Sequence, residues 1–366
     1  MSKIIAFFKK PFFRRYVNYL VIACVIVIFA VASLSGVKGI AKASTLSLLE
    51  RIGIAMVLAL SLSMVVGFLG ELSLGHAGFM CAGAYVGGKI AAILAPLFGG
   101  ESNILALAVA ILAGGVVAAL FGFIIGLPAL RLRGDYLAIV TLAFGEIVRT
   151  VVMNLPNKWF GGTLGMETPR FNRNYLFIII FVMVLACLAV TQNLMYSKHG
   201  RAIVAIKDNE IAARAMGVDI TKYKLFVFVI SSFFAGIAGV LYSYSNYTVQ
   251  SANFDYNYSI EILVMVVLGG MGSINGSMIA AALITFLNVK LQTTLTGDMA
   301  VMKDLIYALI LILIVIYRNA PGLKSFREKY NMNTLGAWLK KRFGKKSAEV
   351  AATAPEAEQE VSSDEQ

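Results

Sequence analysis

Charged residues are scarce in this sequence. Asp, Glu, Lys and Arg make up 14% of the 366 residues, whereas hydrophobic residues make up 59%. A soluble domain carries about 25% charged residues, so the composition excludes an ordinary soluble enzyme. The hydrophobic residues are gathered in long runs suited to a lipid bilayer. We therefore expect an all-α polytopic membrane protein, because a helix satisfies its backbone hydrogen bonds within the segment that crosses the membrane.

Cysteine and histidine are also few. Cys24, Cys81 and Cys187 all fall in apolar segments, an odd number without paired spacing, and His76 and His199 lie far apart. The sequence therefore predicts neither a disulfide framework nor a metal site. It also offers no nucleophile paired with a base, so we expect no catalytic residues and no cofactor bound by the chain itself.

The net charge of +12 comes from Lys and Arg between the apolar segments. This placement is typical of residues that orient a chain in a bilayer, rather than of a nucleic-acid-binding face. Residues 1–15 form a basic segment before the apolar run 16–34, and "AVAS" at 30–33 resembles a signal-peptide cleavage site. Because the run is long enough to span about 30 Å, we interpret it as the first transmembrane helix.

Ten apolar windows predict about ten transmembrane helices within a transmembrane domain at 16–318. If both termini are cytoplasmic, every strongly basic linker lies on the cytoplasmic side. The less basic stretches near 38–42 and 158–173 then lie on the opposite side. After the last window we expect a basic interfacial segment at 319–346 and a disordered acidic tail at 347–366. The windows are 16–34, 52–69, 77–95, 104–126, 136–154, 175–195, 225–244, 259–270, 277–293 and 304–317.

Two glycine-rich stretches predict helices that break inside the membrane. Ser259 to Gly270 gives only about 18 Å of helix, which is too short to cross, and "GGMGSINGS" follows it. A similar stretch, "GELSLGHAG", begins at Gly70, and its glycine and serine recur 200 positions later at Gly270 and Ser273. This spacing favours an internal repeat with interrupted helices, although small residues that only permit close helix packing remain an alternative.

The stretch "GAYVGGKIA" differs by one residue from a nucleotide-binding phosphate loop. Gly83, Gly88 and Lys89 match, but Ile90 replaces the Mg²⁺-binding hydroxyl. The stretch also lies inside an apolar window, whereas a phosphate loop follows a strand in a soluble domain. We interpret its glycines as packing residues, so any ATP would act through another polypeptide.

The linker Ser197 to Lys224 predicts a short helix lying across the cytoplasmic face. Apolar residues recur at helical spacing, Gly217 marks a helix end, and Asp219 and Thr221 are candidate caps for the next helix. An ordinary amphipathic connector is the alternative. The word "EIAARAMG" resembles the E-A-A-x-x-x-G signature of the coupling helix in ABC importer permeases. Ala212 and Ala213 match that spacing together with Gly217, whereas the Glu position holds Ile211 and Glu210 precedes it.

The resemblance extends from about Glu50 to Arg318. The words "GELSLGHAGF", "GLPALRLRGDYLAIVTLAFGEIVR" and "SIEILVMVVLGGMGSINGS" occur in the order typical of the LivH/LivM family of branched-chain amino acid ABC transporter permeases. The word "RLRGDYLAIVTLAFGEI" is similar to the LivM type. Related permeases for urea or short amides share these words, so the substrate stays open within the family.

The resemblance implies a permease subunit that moves amino acids across the bacterial cytoplasmic membrane by alternating access. It implies a LivH-like second permease, two ATPase subunits that hold ATP and Mg²⁺, and a periplasmic or lipid-anchored binding protein. The alternative is an ATP-independent channel or ion-coupled carrier. The residues expected to couple to the ATPase are Glu210, Ile211, Ala212, Ala213, Met216 and Gly217.

Polar residues in or near the apolar windows are candidates for the translocation path, because a charge inside the membrane needs a partner or a cavity. Glu146 and Arg149 are spaced to pair on one helix. Glu71 and Glu261 are the other acids that need partners. The residues expected to line the path are Ser73, His76, Glu146, Gly270 and Ser273.

Overall fold

The computed structural model describes residues 43–97, 103–132 and 134–294, with positions 19, 22, 302, 305–309, 312 and 316. The chain divides into a unit of residues 1–303 and a unit of residues 304–366, and every element below belongs to the first. The predicted segments at 1–15, 319–346 and 347–366 lie outside the described residues. So do the apolar window 16–34, apart from two positions, and much of the window 304–317.

Helices form almost all of the described part of the first unit. The only sheet found there pairs two short antiparallel strands, β1 (Met166–Glu167) and β2 (Thr248–Val249). The α-helices are α1 (Ala43–Leu62), α2 (His76–Leu97), α3 (Ile104–Ala129), α4 (Asp135–Asn154), α5 (Asn157–Phe160), α6 (Arg173–Tyr196), α7 (Lys198–Asp208), α8 (Glu210–Ala215), α9 (Ile220–Asn246), α10 (Tyr256–Gly269) and α11 (Ile274–Thr294).

Among the described residues, seven helices are long and apolar enough to cross a membrane: α1 with its continuation, α2, α3, α4, α6, α9 and α11. Each overlaps one of the predicted windows. The eighth window corresponds to α10, which has 14 residues and is too short to span. The all-α membrane fold is therefore confirmed. The count of about ten is not confirmed, because the first and last windows fall largely outside the described residues.

Both predicted breaks are helix ends at a glycine. Helix α1 continues as a π-helical turn, Ser63–Leu69, and ends at Gly70 with φ of +80°. Helix α10 ends at Gly270 with φ of +98°, and a helix resumes after each break, at His76 and at Ile274 respectively. Glycine adopts such positive φ angles without steric cost. The two glycines at an offset of 200 thus each end a helix, a 26-residue span before Gly70 and a 14-residue helix before Gly270.

The breaks also touch each other. A Cβ atom built on Gly67, in the π-helical turn, would lie 2.8 Å from the backbone nitrogen of Gly272. Any side chain at Gly67 would therefore push the second break away. The broken ends of α1 and α10 form one junction within the helix bundle.

Helix α9 packs closely against α2 and α3 through glycines. A Cβ atom at Gly83 would overlap the backbone of Gly236, and one at Gly239 would overlap the carbonyl of Met80. Small residues let helices approach where lipid provides no hydrophobic driving force between them. The stretch "GAYVGGKIA" is continuous helix within α2, which agrees with its interpretation as a packing motif.

We predict that Gly83→Val destabilises the protein by about 1–3 kcal/mol, because it overpacks the contact with Gly236. The measurement is the melting temperature of the detergent-solubilised protein. The matched control is Ala92→Val on the same helix, where the side chain is exposed. Equal melting temperatures for the two variants would contradict close packing at Gly83.

Candidate coupling site

The linker between α6 and α9 contains two short helices, α7 and α8, that meet at Asn209. Asn209 has extended backbone angles, its N–H donates to the carbonyl of Ala205 at the end of α7, and its side chain accepts from the N–H of Ala212 in α8. The prediction of a single helix was wrong. The missed signal was Asn209 itself, because asparagine is a preferred N-cap and competes with helix continuation.

The predicted helix end at Gly217 has a defined geometry. Gly217 has φ of +83°, its N–H donates to the carbonyl of Arg214, and the N–H of Val218 donates to the carbonyl of Ala213. These two bonds form a Schellman motif, which favours glycine at this position. Asp219 then caps α9 by accepting from the N–H of Lys222, whereas Thr221 lies inside the first turn of α9.

The apolar residues of this segment point in opposite directions. Ile203 and Ile206 of α7 are buried, and so is Ala213 of α8. Ile211 is 78% exposed and Met216 is 85% exposed. The exposed small and apolar residues of α8 and its end form what we call the docking surface: Ile211, Ala212, Ala215 and Met216.

A buried lysine, Lys224, connects the short helix α8 to the first break at Gly70. The side chain of Lys224 in α9 is 4% exposed, its Nζ donates to Oε1 of Glu71, and it lies 3.5 Å from Oε2 of Glu210. Glu71 directly follows Gly70 at the end of the π-helical turn. We call Lys224, Glu71 and Glu210 the lysine junction. Two carboxylates compensate the buried ammonium, which would otherwise be costly to desolvate.

Helix α7 holds the same break by a second contact. Nζ of Lys207 donates to the carbonyl of Gly67 at 2.6 Å. The last carbonyls of a helix lack intrahelical donors, and a lysine there also complements the helix dipole. A Cβ atom at Gly70 would lie 2.9 Å from Cγ of Lys207, so the lysine stem passes directly over the break. Both short helices are thus fastened to one point of the membrane domain.

Lys207 and Lys224 were not among the predicted site residues. Lys224 follows Ile220 by four residues and precedes Phe228 by four, and all three are buried on one face of α9. A lysine in an apolar helical stripe signals a buried partner, and this signal was available from the spacing. The spacing could not identify the partner, because Glu71 lies far away in the sequence.

Three of the predicted path residues lie around the start of α2. Ser73 is buried, and its Oγ has no hydrogen-bond partner among the described residues. Nε2 of His76 lies 2.7 Å from Oγ of Ser61, which makes it a satisfied packing residue. Glu146 pairs with Arg149 at 2.8 Å, and this pairing was predicted.

The space beside Glu146 is closed in this conformation. Leu74, Ala77 and Ser259 line the same crevice, which has no room for a water molecule, and the N–H of Ala77 donates to Oγ of Ser259 at 3.0 Å. A path through this point therefore requires movement of α2, α4 or α10 relative to the others.

The other two predicted path residues belong to the second break. The N–H of Ser273 donates to the carbonyl of Gly270 at 2.9 Å, forming the turn before α11. Ser273 is exposed. The neighbouring Gly272 of this turn lies against Gly67, and the carbonyl of Gly67 accepts a hydrogen bond from Nζ of Lys207.

We predict that Lys224→Met lowers the free energy of unfolding by about 1–3 kcal/mol, because two carboxylates then face each other without a cation. Partial exposure of Glu71 and Glu210 limits the effect. The double variant Lys224→Met/Glu71→Gln should recover part of the loss by removing one of those charges. Thermal unfolding in detergent measures both, and a double variant no more stable than the single one would contradict the ion pair.

At Gly217 we predict that valine is poorly tolerated and asparagine is tolerated. A Cβ atom there would meet nothing within 4 Å, so the positive φ alone decides the outcome. Asparagine visits the left-handed region, whereas a β-branched residue there costs roughly 1–2 kcal/mol. Protease sensitivity of the 209–219 segment measures the effect. Equal sensitivity in the two variants would show that the Schellman motif is not needed.

Comparison with known proteins places the chain in a family. The family model described as branched-chain amino acid transport system / permease component matches residues 44–315. The chain is 36% identical to the high-affinity branched-chain amino acid transport system permease protein LivM of Salmonella typhimurium. That match covers 63% of this chain and 60% of the relative. The chain thus spans less than two thirds of the length of that relative.

Two more distant relatives are also permease proteins. The permease protein LivH of the same Salmonella strain is 24% identical, with 71% of this chain and 87% of LivH covered. The ribose import permease protein RbsC of Escherichia coli K12 is 27% identical, with 62% of this chain and 73% of RbsC covered.

Proposed function

The chain belongs to the family of branched-chain amino acid transport permease components, and we propose that it is the membrane-spanning subunit of an ATP-binding-cassette importer for these amino acids. The observation that carries the proposal is the docking surface fastened to a broken membrane helix. An exposed apolar surface on a short helix suits a protein partner. The lysine junction gives movement of that partner a direct route into the membrane domain.

The proposed partner at the docking surface is an ATPase subunit that holds ATP and Mg²⁺. Ala212 and Ala215 allow close approach to a cleft, while Ile211 and Met216 supply apolar contact area. Closure of the ATPase pair on ATP would move α7 and α8 as one body, because both are bound to the first break. The two breaks would shift together and expose the path alternately to the two sides.

Similarity to both LivM and LivH supports pairing with a second, LivH-like permease. A periplasmic or lipid-anchored binding protein would deliver substrate from the opposite side of the membrane. The basic residues of the 197–224 segment favour a cytoplasmic position for the docking surface, with both termini on the same side. The expected location is the bacterial cytoplasmic membrane.

The substrate is the finer part of the proposal. Similarity to a ribose import permease means that relatedness of this kind extends to other small solutes. Uptake of radiolabelled leucine by the assembled transporter, in competition with isoleucine, valine, urea, acetamide and ribose, would test the choice. Competition by urea or acetamide alone would support the short-amide alternative instead.

The docking surface is tested by the double variant Ile211→Arg/Met216→Arg. Both side chains are exposed, so the chain should fold, whereas substitution of the buried Ala213 would disturb packing of α8 itself. We expect loss of co-purifying ATPase subunits and loss of ATP-driven leucine uptake. The measurement is a pull-down from gently solubilised membranes, followed by uptake in proteoliposomes.

The matched control is Leu164→Arg, which changes an apolar side chain of equal exposure, 79%, in the α4–α6 connection. It should retain the ATPase subunits. Retention of the ATPases by the double variant, or leucine uptake that survives without any ATPase, would contradict the proposal and favour a channel or ion-coupled carrier.

A further inference from the structure

A polar cavity lies between α1, α9, α10 and α11, apart from the coupling site and from the crevice beside Glu146. Its volume is about 200 Å³. Both charge signs are present in its lining, together with hydroxyl and amide groups. The polar lining residues are Arg51, Tyr242, Tyr258, Glu261, Thr285, Asn288 and Gln292.

The cavity lies in the half of the bundle away from the docking surface. Arg51 precedes Gly67 in the same helix by roughly 16 residues, or ~24 Å at 1.5 Å per residue. Gly67 is the residue held by Lys207 of the coupling segment. Asn288 similarly lies about 14 residues, or ~21 Å, along α11 from its start at Ile274. With the docking surface on the cytoplasmic side, as proposed above, the cavity lies towards the side from which an importer receives its substrate.

Hydrogen bonding distinguishes the polar groups of the cavity wall from one another. Nδ2 of Asn288 donates to Oε1 of Glu261 at 3.0 Å, which fixes the carboxylate in the cavity wall. Oγ1 of Thr285 is buried and has no hydrogen-bond partner among the described residues. A buried hydroxyl without a partner costs free energy, so a ligand that bonds to it would be stabilised. Glu261 lies within the apolar helix α10, and an acid in such a segment is itself a signal of function.

The rest of the wall is apolar. Ile54 and Met265 line the cavity together with Val289. A site that combines a guanidinium, a carboxylate and an aliphatic wall matches a zwitterion with an aliphatic side chain. Each charge of such a ligand would meet its opposite within a medium that penalises unpaired charge.

We infer that this cavity is a binding site for the transported amino acid within the permease. Arg51 binds the carboxylate, Glu261 binds the ammonium group, and Thr285 donates or accepts one further hydrogen bond. The aliphatic side chain lies against Ile54, Met265 and Val289. This inference rests on the proposed function and adds a selective site in the membrane subunit itself.

The test uses the assembled transporter, with its ATPases and binding protein, in proteoliposomes. Glu261→Gln keeps the size of the side chain and removes its charge. We expect the KM for leucine uptake to rise about tenfold or more, since a charge-assisted bond to the ammonium is lost. Lys290→Gln is the control, because Lys290 lies on α11 close to the lining residue Asn288 but has an exposed side chain outside the cavity lining.

Two leucine analogues separate binding from a structural effect. In 4-methylpentanoate the ammonium group is missing, and in 3-methylbutylamine the carboxylate is missing. Applied in excess as inhibitors of uptake, the carboxylate analogue should be unaffected by Glu261→Gln and weakened by Arg51→Gln. The amine analogue should show the opposite pattern. A merely structural role would change both inhibitors equally, which would overturn the inference.

Thr285→Val provides a variant of nearly the same shape if either charge change prevents assembly. It should raise the KM for leucine several-fold while the ATPases still co-purify. Unchanged KM in Thr285→Val, together with unchanged KM in the charge variants that assemble, would overturn the inference while leaving the proposed function intact. Absence of leucine uptake by the unaltered transporter would instead contradict the proposed function.

Discussion

The buried ammonium of Lys224 fixes the geometry on which the coupling site depends. Helices α7 and α8 have 11 and 6 residues, lengths at which an isolated helix is not stable in water. Their position therefore comes from tertiary contacts: Ile203 and Ile206 packed inward, and Glu210 bound by Lys224. Because Lys224 also binds Glu71, the docking helix and the end of the first broken helix share one cation. Losing that cation would remove both of these contacts.

The breaks in α1 and α10 extend this constraint into the membrane. A continuous helix has no unpaired backbone groups in its middle. A broken helix leaves N–H and C=O groups unpaired at the break, where other parts of the protein can form hydrogen bonds with them. Here the carbonyl of Gly67 accepts a hydrogen bond from Lys207, and the turn at Gly272 lies against Gly67. In the proposed mechanism, a displacement at the docking surface would reach the first break through the lysine contacts and the second through direct backbone contact. Elsewhere, glycine contacts between α2, α3 and α9 form a closely packed frame.

Local features of the fold were predictable from the sequence, and long-range pairings were not. Apolar windows located the spanning helices, and glycine spacing located both breaks, because these depend on composition and on backbone angles. The cap at Asp219 and the helix end at Gly217 followed from the same local chemistry. The split at Asn209 was missed, since a strong cap inside an amphipathic pattern competes with the periodic signal. The partner of Lys224 could not be found, because periodicity identifies a buried position but not the distant segment that packs on it. For the same reason, Gly270 and Ser273 were grouped with Glu146, whereas the structure places them at the turn against Gly67.

Coupling through Lys224 is tested most directly by a distance between the docking surface and the second break. Spin labels at position 208, an exposed residue next to α8 and outside the docking surface, and at the exposed Met271 would be placed in a chain whose three native cysteines are replaced, within the assembled transporter. With Lys224 present, we expect the distance distribution to be the same with and without ATP, because docking surface and breaks move as one body. In Lys224→Met the distribution should broaden or shift with nucleotide. A nucleotide-dependent change of equal size in both chains would contradict transmission through the lysine junction.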